Sequence, residues 1–193
     1  NDAFIRTTEA RHVKTAQEIF TKLEQAGDIY KGSYSGLYCE GCEAFYAEDD
    51  LVANKCPEHQ KPLKHLQEEN YFFRLSKYQK QIIALFKDAK FLLPDSKRNE
   101  ILSRLKQPLR DLSVSRYKVE WGIPVPGDPD HRIYVWVDAL LNYISALDYP
   151  KTPYKALWPA DLHIIGSGIT WFHTVIWPAM LLSAGLPLPK QVF

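Results

Sequence analysis

The stretch Ile133-Tyr134-Val135-Trp136-Val137-Asp138-Ala139-Leu140-Leu141-Asn142-Tyr143 decides how the chain is read. Its first five residues form a continuous apolar run, the pattern of a strand covered on both faces. From Asp138 onward, Leu140, Leu141, Tyr143, Ile144 and Leu147 recur at helical spacing. The same grammar returns downstream, where Leu162-His163-Ile164-Ile165 precedes Gly166-Ser167-Gly168 and an apolar helix expected over 169–184. Strand, turn and helix repeated in this order predict an α/β fold with a parallel sheet.

Upstream of that stretch the signals change. Thr8 is placed to cap a helix over 8–26, with Val13, Ala16, Phe20, Leu23 and Ala26 on one face and Gly27 as its stop. The segment Tyr30 to Leu66 holds all 3 cysteines and no long periodic run, so it reads as a small knuckle of short strands and turns. Asn70 to Arg74 reads as a strand, and Ser76 with Gln79 as a capping box for the next helix. A third helix is expected from Asp95 or Ser96 and must end by Pro108. Val119 to His131 is dense in Pro and Gly and is expected to be a connecting loop. These signals divide the chain into 1–28, 29–68, 69–118 and 119–193. That 1–28 is a helix leading out of a nucleotide-binding fold, 29–68 an inserted knuckle, 69–118 its helical remainder and return strand, and 119–193 the second half of the main fold is what the family resemblance described below implies.

Composition narrows the function classes. Among 193 residues, 46% are hydrophobic, yet no run nears the length of a membrane span, and the N-terminus lacks the pattern of a secretory signal. No membrane partner is expected, and a cytoplasmic or organellar-matrix setting is. A net charge of +1 argues against a nucleic-acid coat. The basic residues Arg74, Lys77, Lys80, Lys87, Lys97 and Arg98 have acidic neighbours and read better as a solvated helix face than as an RNA surface. The single methionine is Met180, and the chain is expected to be a section of a longer protein.

Cys39-Glu40-Gly41-Cys42 and Cys56-Pro57-Glu58-His59 form two pairs of two-residue spacing. Together they supply four soft or borderline ligands for a tetrahedral, structural zinc: Cys39, Cys42, Cys56 and His59. Three cysteines in a chain that reads as intracellular argue against a disulfide, a redox pair would leave the second pair unexplained, and a metal-free knuckle is the remaining alternative. His65 is a substitute ligand of poorer spacing.

In an open parallel sheet, ligands sit at the carboxyl ends of strands. That brings forward Asp111 to Arg116, Trp136 to Tyr143, and Gly166 to Gly168 with Trp171, Phe172, His173 and Trp177. A pocket of Trp136, Tyr143, Phe172 and His173 would suit a small apolar amino acid or a base, although aromatics at helical spacing are also core material. Trp171 stands where a dinucleotide-binding turn needs its third glycine. His173 has no nucleophile or orienting carboxylate nearby in sequence, so no hydrolytic triad is read.

Several strings in order resemble the methionyl-tRNA synthetases, a class I aminoacyl-tRNA synthetase family. They are Phe4-Ile5-Arg6-Thr7-Thr8, Gly27 to Gly32, Gly36-Leu37-Tyr38-Cys39 with the knuckle, Glu69 to Leu75, Asp111 to Arg116, Trp121 to Gly127, Tyr134 to Leu140, Phe172-His173 and Trp177 to Met180. The resemblance implies part of a Rossmann-type parallel sheet with an inserted small zinc-knuckle (connective peptide) domain. It also implies a ligase that activates methionine with ATP and transfers it to tRNA(Met), with Zn2+ in the knuckle and Mg2+ serving the ATP. By position, Trp136, Ala139, Leu140, Tyr143, Ile169 and His173 match the family's methionine side-chain pocket, and Arg116 and Trp177 match residues around the activated amino acid. Two family elements, His-x-Gly-His and Lys-Met-Ser-Lys-Ser, do not occur in these residues, and Gly166-Ser167-Gly168 stands where the family usually has Gly-Lys-Asp. The isolated segment is therefore expected to be inactive, and a non-catalytic, zinc-stabilised RNA- or protein-binding module derived from a synthetase is the alternative.

Overall fold

The first helix, α1 (Ala10–Gln25), buries His12, Thr15, Ala16, Ile19, Phe20 and Leu23 on one face. Burial of Phe20 and Leu23 alone is worth roughly 1.5–3 kcal/mol each. The cap is Glu9 rather than Thr8, with extended backbone, and its carboxylate accepts the Arg6 N–H at 2.9 Å. Gly27 ends the helix as the sequence predicts, at φ +72°, and lets the Asp28 N–H reach the Leu23 carbonyl at 3.0 Å.

The computed structural model describes residues 4–42, 44–46, 51–52 and 54–193. Strands β1 (Ile29–Cys39), β2 (Ala44–Tyr46), β3 (Lys64–Phe73) and β4 (Leu112–Ser113) form one sheet in the order β2-β1-β3-β4. The chain divides into two units, one of residues 31–70 and one of residues 1–30 with 71–193.

In the larger unit, a 3-10 turn at Leu75–Tyr78 leads into α2 (Gln79–Leu85), and α3 spans Asp95–Arg104. The expected capping box is absent. Ser76 Oγ instead donates to Asp111 Oδ1 at 2.6 Å, and the Gln79 amide donates to the carbonyls of Leu105 and Gln107, both at 2.9 Å. The two side chains tie the helix to the chain after α3 rather than closing its own end. Asp28 is a second tie: fully buried, it accepts from Lys77 Nζ at 2.6 Å, from Ser183 Oγ at 2.7 Å and from the Tyr78 hydroxyl.

The stretch that opened the sequence reading folds differently from its expected form. Strand pairing stops at Ile133, the last residue of β7 (Asp128–Ile133), and α4 (Val135–Ser145) begins two residues later. Tyr134 is the extended cap, its carbonyl accepting from Val137 N–H at 2.9 Å and Asp138 N–H at 3.0 Å. An apolar run this short fits a buried helix start as well as a strand, and burial of Val137, Leu140, Leu141 and Ile144 settles it as helix. The expected loop 119–131 in turn contains strands. Pro124–Val125 (β6) and most of β7 lie in it, and with β5 (Ser115–Tyr117) they form an antiparallel sheet of order β5-β7-β6.

Parallel pairing is found where the second strand-turn-helix unit places it. Val192 bridges both Leu92 and His163 in parallel. The His163 N–H donates to Gln191 O at 2.9 Å, the Ile165 N–H to Phe193 O at 2.9 Å, and the Leu93 N–H to Val192 O at 3.0 Å. After α5 (Thr152–Leu157) and this ladder, the expected helix 169–184 forms in three pieces: a 3-10 turn at Ser167–Ile169, a π-helical turn at Phe172–Ile176 and α6 (Trp177–Ser183). Pro178 explains the interruption. It has no N–H for the preceding turn, and the Trp177 N–H bonds five residues back to Phe172 O.

Candidate functional site

Two places in the described residues carry concentrated chemistry. In the larger unit, α4 presents Trp136, Ala139, Leu140 and Tyr143 at intervals of three, one and three, which puts them on one helix face. The segment 169–177 supplies the facing side chains. Tyr143 Oη lies 2.7 Å from His173 Nε2, and His173 Nδ1 lies 3.0 Å from the Ile169 carbonyl. A carbonyl only accepts, so Nδ1 carries the ring proton and Nε2 accepts from the Tyr143 hydroxyl. Burial lowers the pKa of His173 against the Ile169 carbonyl, which keeps the ring neutral as this bonding requires. Trp136 and Phe172 stack at 4.4 Å between ring centroids. The wall is thus mostly apolar, with one polar pair held at a fixed tautomer.

Trp177 is fully buried, 6.3 Å from Tyr143 by ring centroids. Arg116 lies on β5, its guanidinium 4.1 Å from the Tyr134 ring and 2.9 Å from the Ser115 carbonyl. These contacts bring Tyr143, Ile169, His173 and Trp177 together and put Trp136 beside Phe172, next to His173 in the chain. The contacts of Arg116 lead to the residue that caps α4. Gly166, Ser167 and Gly168 are exposed, and a Cβ at either glycine would meet nothing within 4 Å, so packing does not require glycine there. Of the six basic residues singled out, Arg74 binds the Gly27 carbonyl, Lys77 pairs with Asp28, Lys97 with Glu100, and Arg98 binds the Phe86 carbonyl. Most of that charge is committed within the fold.

One constellation escaped sequence reasoning. His12 on α1 places Nδ1 2.7 Å from Ser145 Oγ and Nε2 against an Asp138 carboxylate oxygen, and all three residues are buried. Separations of 133 and 126 residues hide such a group from any local motif. It is a tie between helices and not a nucleophile, since the serine is fully buried and sits on Nδ1 with the carboxylate on Nε2.

In the smaller unit, one ligand atom each from Cys39, Cys42, Cys56 and His59 lies within 4.8 Å of all the others. His59 Nδ1 is 3.0 Å from Cys42 Sγ and 3.9 Å from both Cys39 Sγ and Cys56 Sγ, and Cys42 Sγ is 3.5 Å from Cys56 Sγ. Tetrahedral bond lengths near 2.0–2.3 Å place ligand atoms roughly 3.5–3.8 Å apart, so donor set and spacing both fit zinc. His65 is exposed on β3 and is not part of this group. Two features shape the cradle. The His59 N–H points at Cys56 Sγ at 3.4 Å, and a Cβ on Gly41 would lie 2.7 Å from the His59 ring, so the ring needs glycine there. Desolvation opposes the Cys56 thiolate, but N–H groups of His59 and Glu58 and the His59 ring bring the thiol down to about 6. The Tyr46 hydroxyl favours the Cys42 thiolate, yet burial and the neighbouring cysteines push that thiol up to about 12. Three sulfurs this close would all ionise only with a cation between them.

Comparison with known proteins identifies the chain's relatives. The family model described as tRNA synthetases class I (M) matches residues 1–65 and 59–193. The chain belongs to this family. Methionine–tRNA ligases of Thermotoga maritima and Clostridium perfringens are 51% and 52% identical to it over 200 and 197 residues. All of this chain is covered, against 32% and 30% of those proteins, so the chain spans about a third of the length of these relatives. The structure of Mycobacterium tuberculosis methionyl-tRNA synthetase in complex with methionyl-adenylate superposes with a TM-score of 0.92 at 42% identity, over all of this chain and 39% of that one. The synthetase likeness gives the fold: the Rossmann-type α/β catalytic fold with a small metal knuckle, as the sequence strings implied. No described helix is long and apolar enough to cross a membrane.

Proposed function

We propose that this chain is the amino-acid-recognising part of a methionine–tRNA ligase, together with its zinc knuckle. Trp136, Ala139, Leu140, Tyr143, Ile169 and His173 line a pocket for the methionine side chain, and Arg116 and Trp177 lie around the activated amino acid. The observation that carries this reading is the Tyr143–His173–Ile169 hydrogen-bonded chain beside the Trp136–Phe172 stack. A thioether offers almost no polar handle, so selection must come from shape and a few fixed polar atoms, which is what this wall provides. The neutral His173 holds the Tyr143 hydroxyl in one direction, and the paired rings exclude water. Cys39, Cys42, Cys56 and His59 hold zinc in a closed four-ligand site, where the metal supplies folding energy and no open position for substrate. ATP, Mg2+ and tRNA(Met) are the further partners of the whole ligase, working in the cytoplasm or an organellar matrix.

Gly166-Ser167-Gly168 favours the second reading, a zinc-stabilised RNA- or protein-binding module without catalysis, because the family's usual cation and carboxylate are missing there. Metal analysis combined with calorimetric titration of methionine and of acceptor-stem RNA separates the two. One zinc per chain with methionine binding is expected. RNA binding without methionine binding overturns the first reading in favour of the second.

A further inference from the structure

His163 belongs to no sequence string singled out for the pocket, yet it packs into the same cluster. Its ring centroid lies 4.3 Å from Tyr143, 5.9 Å from His173 and 6.1 Å from Trp158. The residue is only 6% exposed, and its Nε2 is buried without a hydrogen-bond partner. A buried polar atom left without a partner costs free energy that a phenylalanine in the same place would not. The backbone does not call for histidine either, since the parallel ladder uses only its N–H and carbonyl.

From this juxtaposition we infer that His163 is a specificity-determining residue of the amino-acid pocket, whose Nε2 meets the side-chain sulfur of the bound amino acid directly or through one water. The inference rests on the reading of this region as a methionine pocket. An imidazole with Nε2–H donates to a weak acceptor such as a thioether sulfur, and burial keeps the ring uncharged, its pKa lowered to about 4 by desolvation and by His173. A methylene in place of the sulfur gives the N–H nothing. His163 thereby adds to the pocket a means of telling methionine from its sulfur-free isostere, which shape alone does poorly.

The test is methionine-dependent and norleucine-dependent ATP–pyrophosphate exchange by the protein as its gene encodes it, with the substitution His163→Phe. The expected result is a KM for methionine raised about tenfold, the effect of one hydrogen bond, with kcat held within about twofold. The KM for norleucine stays unchanged, and the thermal midpoint is unchanged or higher because an unpartnered polar atom has gone. His163→Gln, which keeps a hydrogen-bonding group, recovers part of the preference for methionine. Unchanged KM values for both substrates overturn the inference, as does a parallel rise in both with a lowered thermal midpoint, which marks a packing role. Absence of methionine-dependent exchange in the unsubstituted protein overturns the pocket reading and this inference with it.

Discussion

The two units of the chain are held together by different forces. In residues 31–70, the buried hydrophobic side chains among the described residues are Cys39 and Cys56, both from the metal cluster. In the larger unit, more than thirty side chains including Phe20, Phe73, Ile82, Leu141 and Trp177 form one apolar cluster. A segment this small cannot bury enough surface to offset its chain entropy, so the zinc proposed for the Cys39, Cys42, Cys56 and His59 cluster would take the place of a core. The proposed zinc site therefore implies two stabilities in one chain, one set by metal and one by packing.

The largest effect should come from breaking the first. Cys56→Ser removes a buried thiolate and, with it, much of a metal-binding free energy of about 10–16 kcal/mol. Hydrogen exchange is expected to lose protection across 31–70 while α1 and α4 keep theirs; loss of protection in all of them would show that the two stabilities are one. Phe20→Ala attacks the second. Phe20 is 1% exposed and packs edge-on to Tyr71 at 5.7 Å, so its loss should cost about 3–5 kcal/mol in denaturant unfolding. Zinc content should stay the same.

Asp28→Asn is expected to cost about 1–2 kcal/mol by weakening the bonds from Tyr78 and Ser183, while the half-exposed Lys77 ammonium is left to solvent. Burial works to raise the Asp28 pKa, but those three donors outweigh it and hold the carboxyl below its ordinary 3.8. The sign follows: its stabilisation is fully present above that value and is lost as pH falls through it towards the lower folded-state value. An acid unfolding curve of Asp28→Asn should therefore be shallower than that of the unsubstituted protein. The smallest effect belongs to Gly168→Ala, where a Cβ meets nothing within 4 Å. Its stability change should stay within about 0.5 kcal/mol in the same assay.

What was legible in the sequence was whatever a local rule governs. The stripe of α1 and its Gly27 stop, the end of α3 before Pro108 and the spacing of the knuckle ligands all rest on contacts between near neighbours in the chain. Val135-Trp136-Val137 reads as strand in the sequence but is helix in the structure, because period alone does not separate a short buried strand from the first turn of a buried helix, and packing against α1 decides it. The roles of Ser76 and Gln79 were missed because their side chains bind residues 26–35 positions away. Within the candidate site, residue types could be named from the sequence. The direction of the proton between Tyr143 and His173, and the presence of His163 behind them, depend on tertiary contacts that no motif encodes.

The π-helical turn at Phe172–Ile176 acts as an angular setting for everything beside it. One extra residue in a helix turns all that follows by about 100° relative to what precedes it. That offset lets one continuous segment aim His173 at Tyr143 and still seat Trp177 in the core. Deleting a single residue there would not shorten the helix so much as swing one half of the site out of alignment with the other.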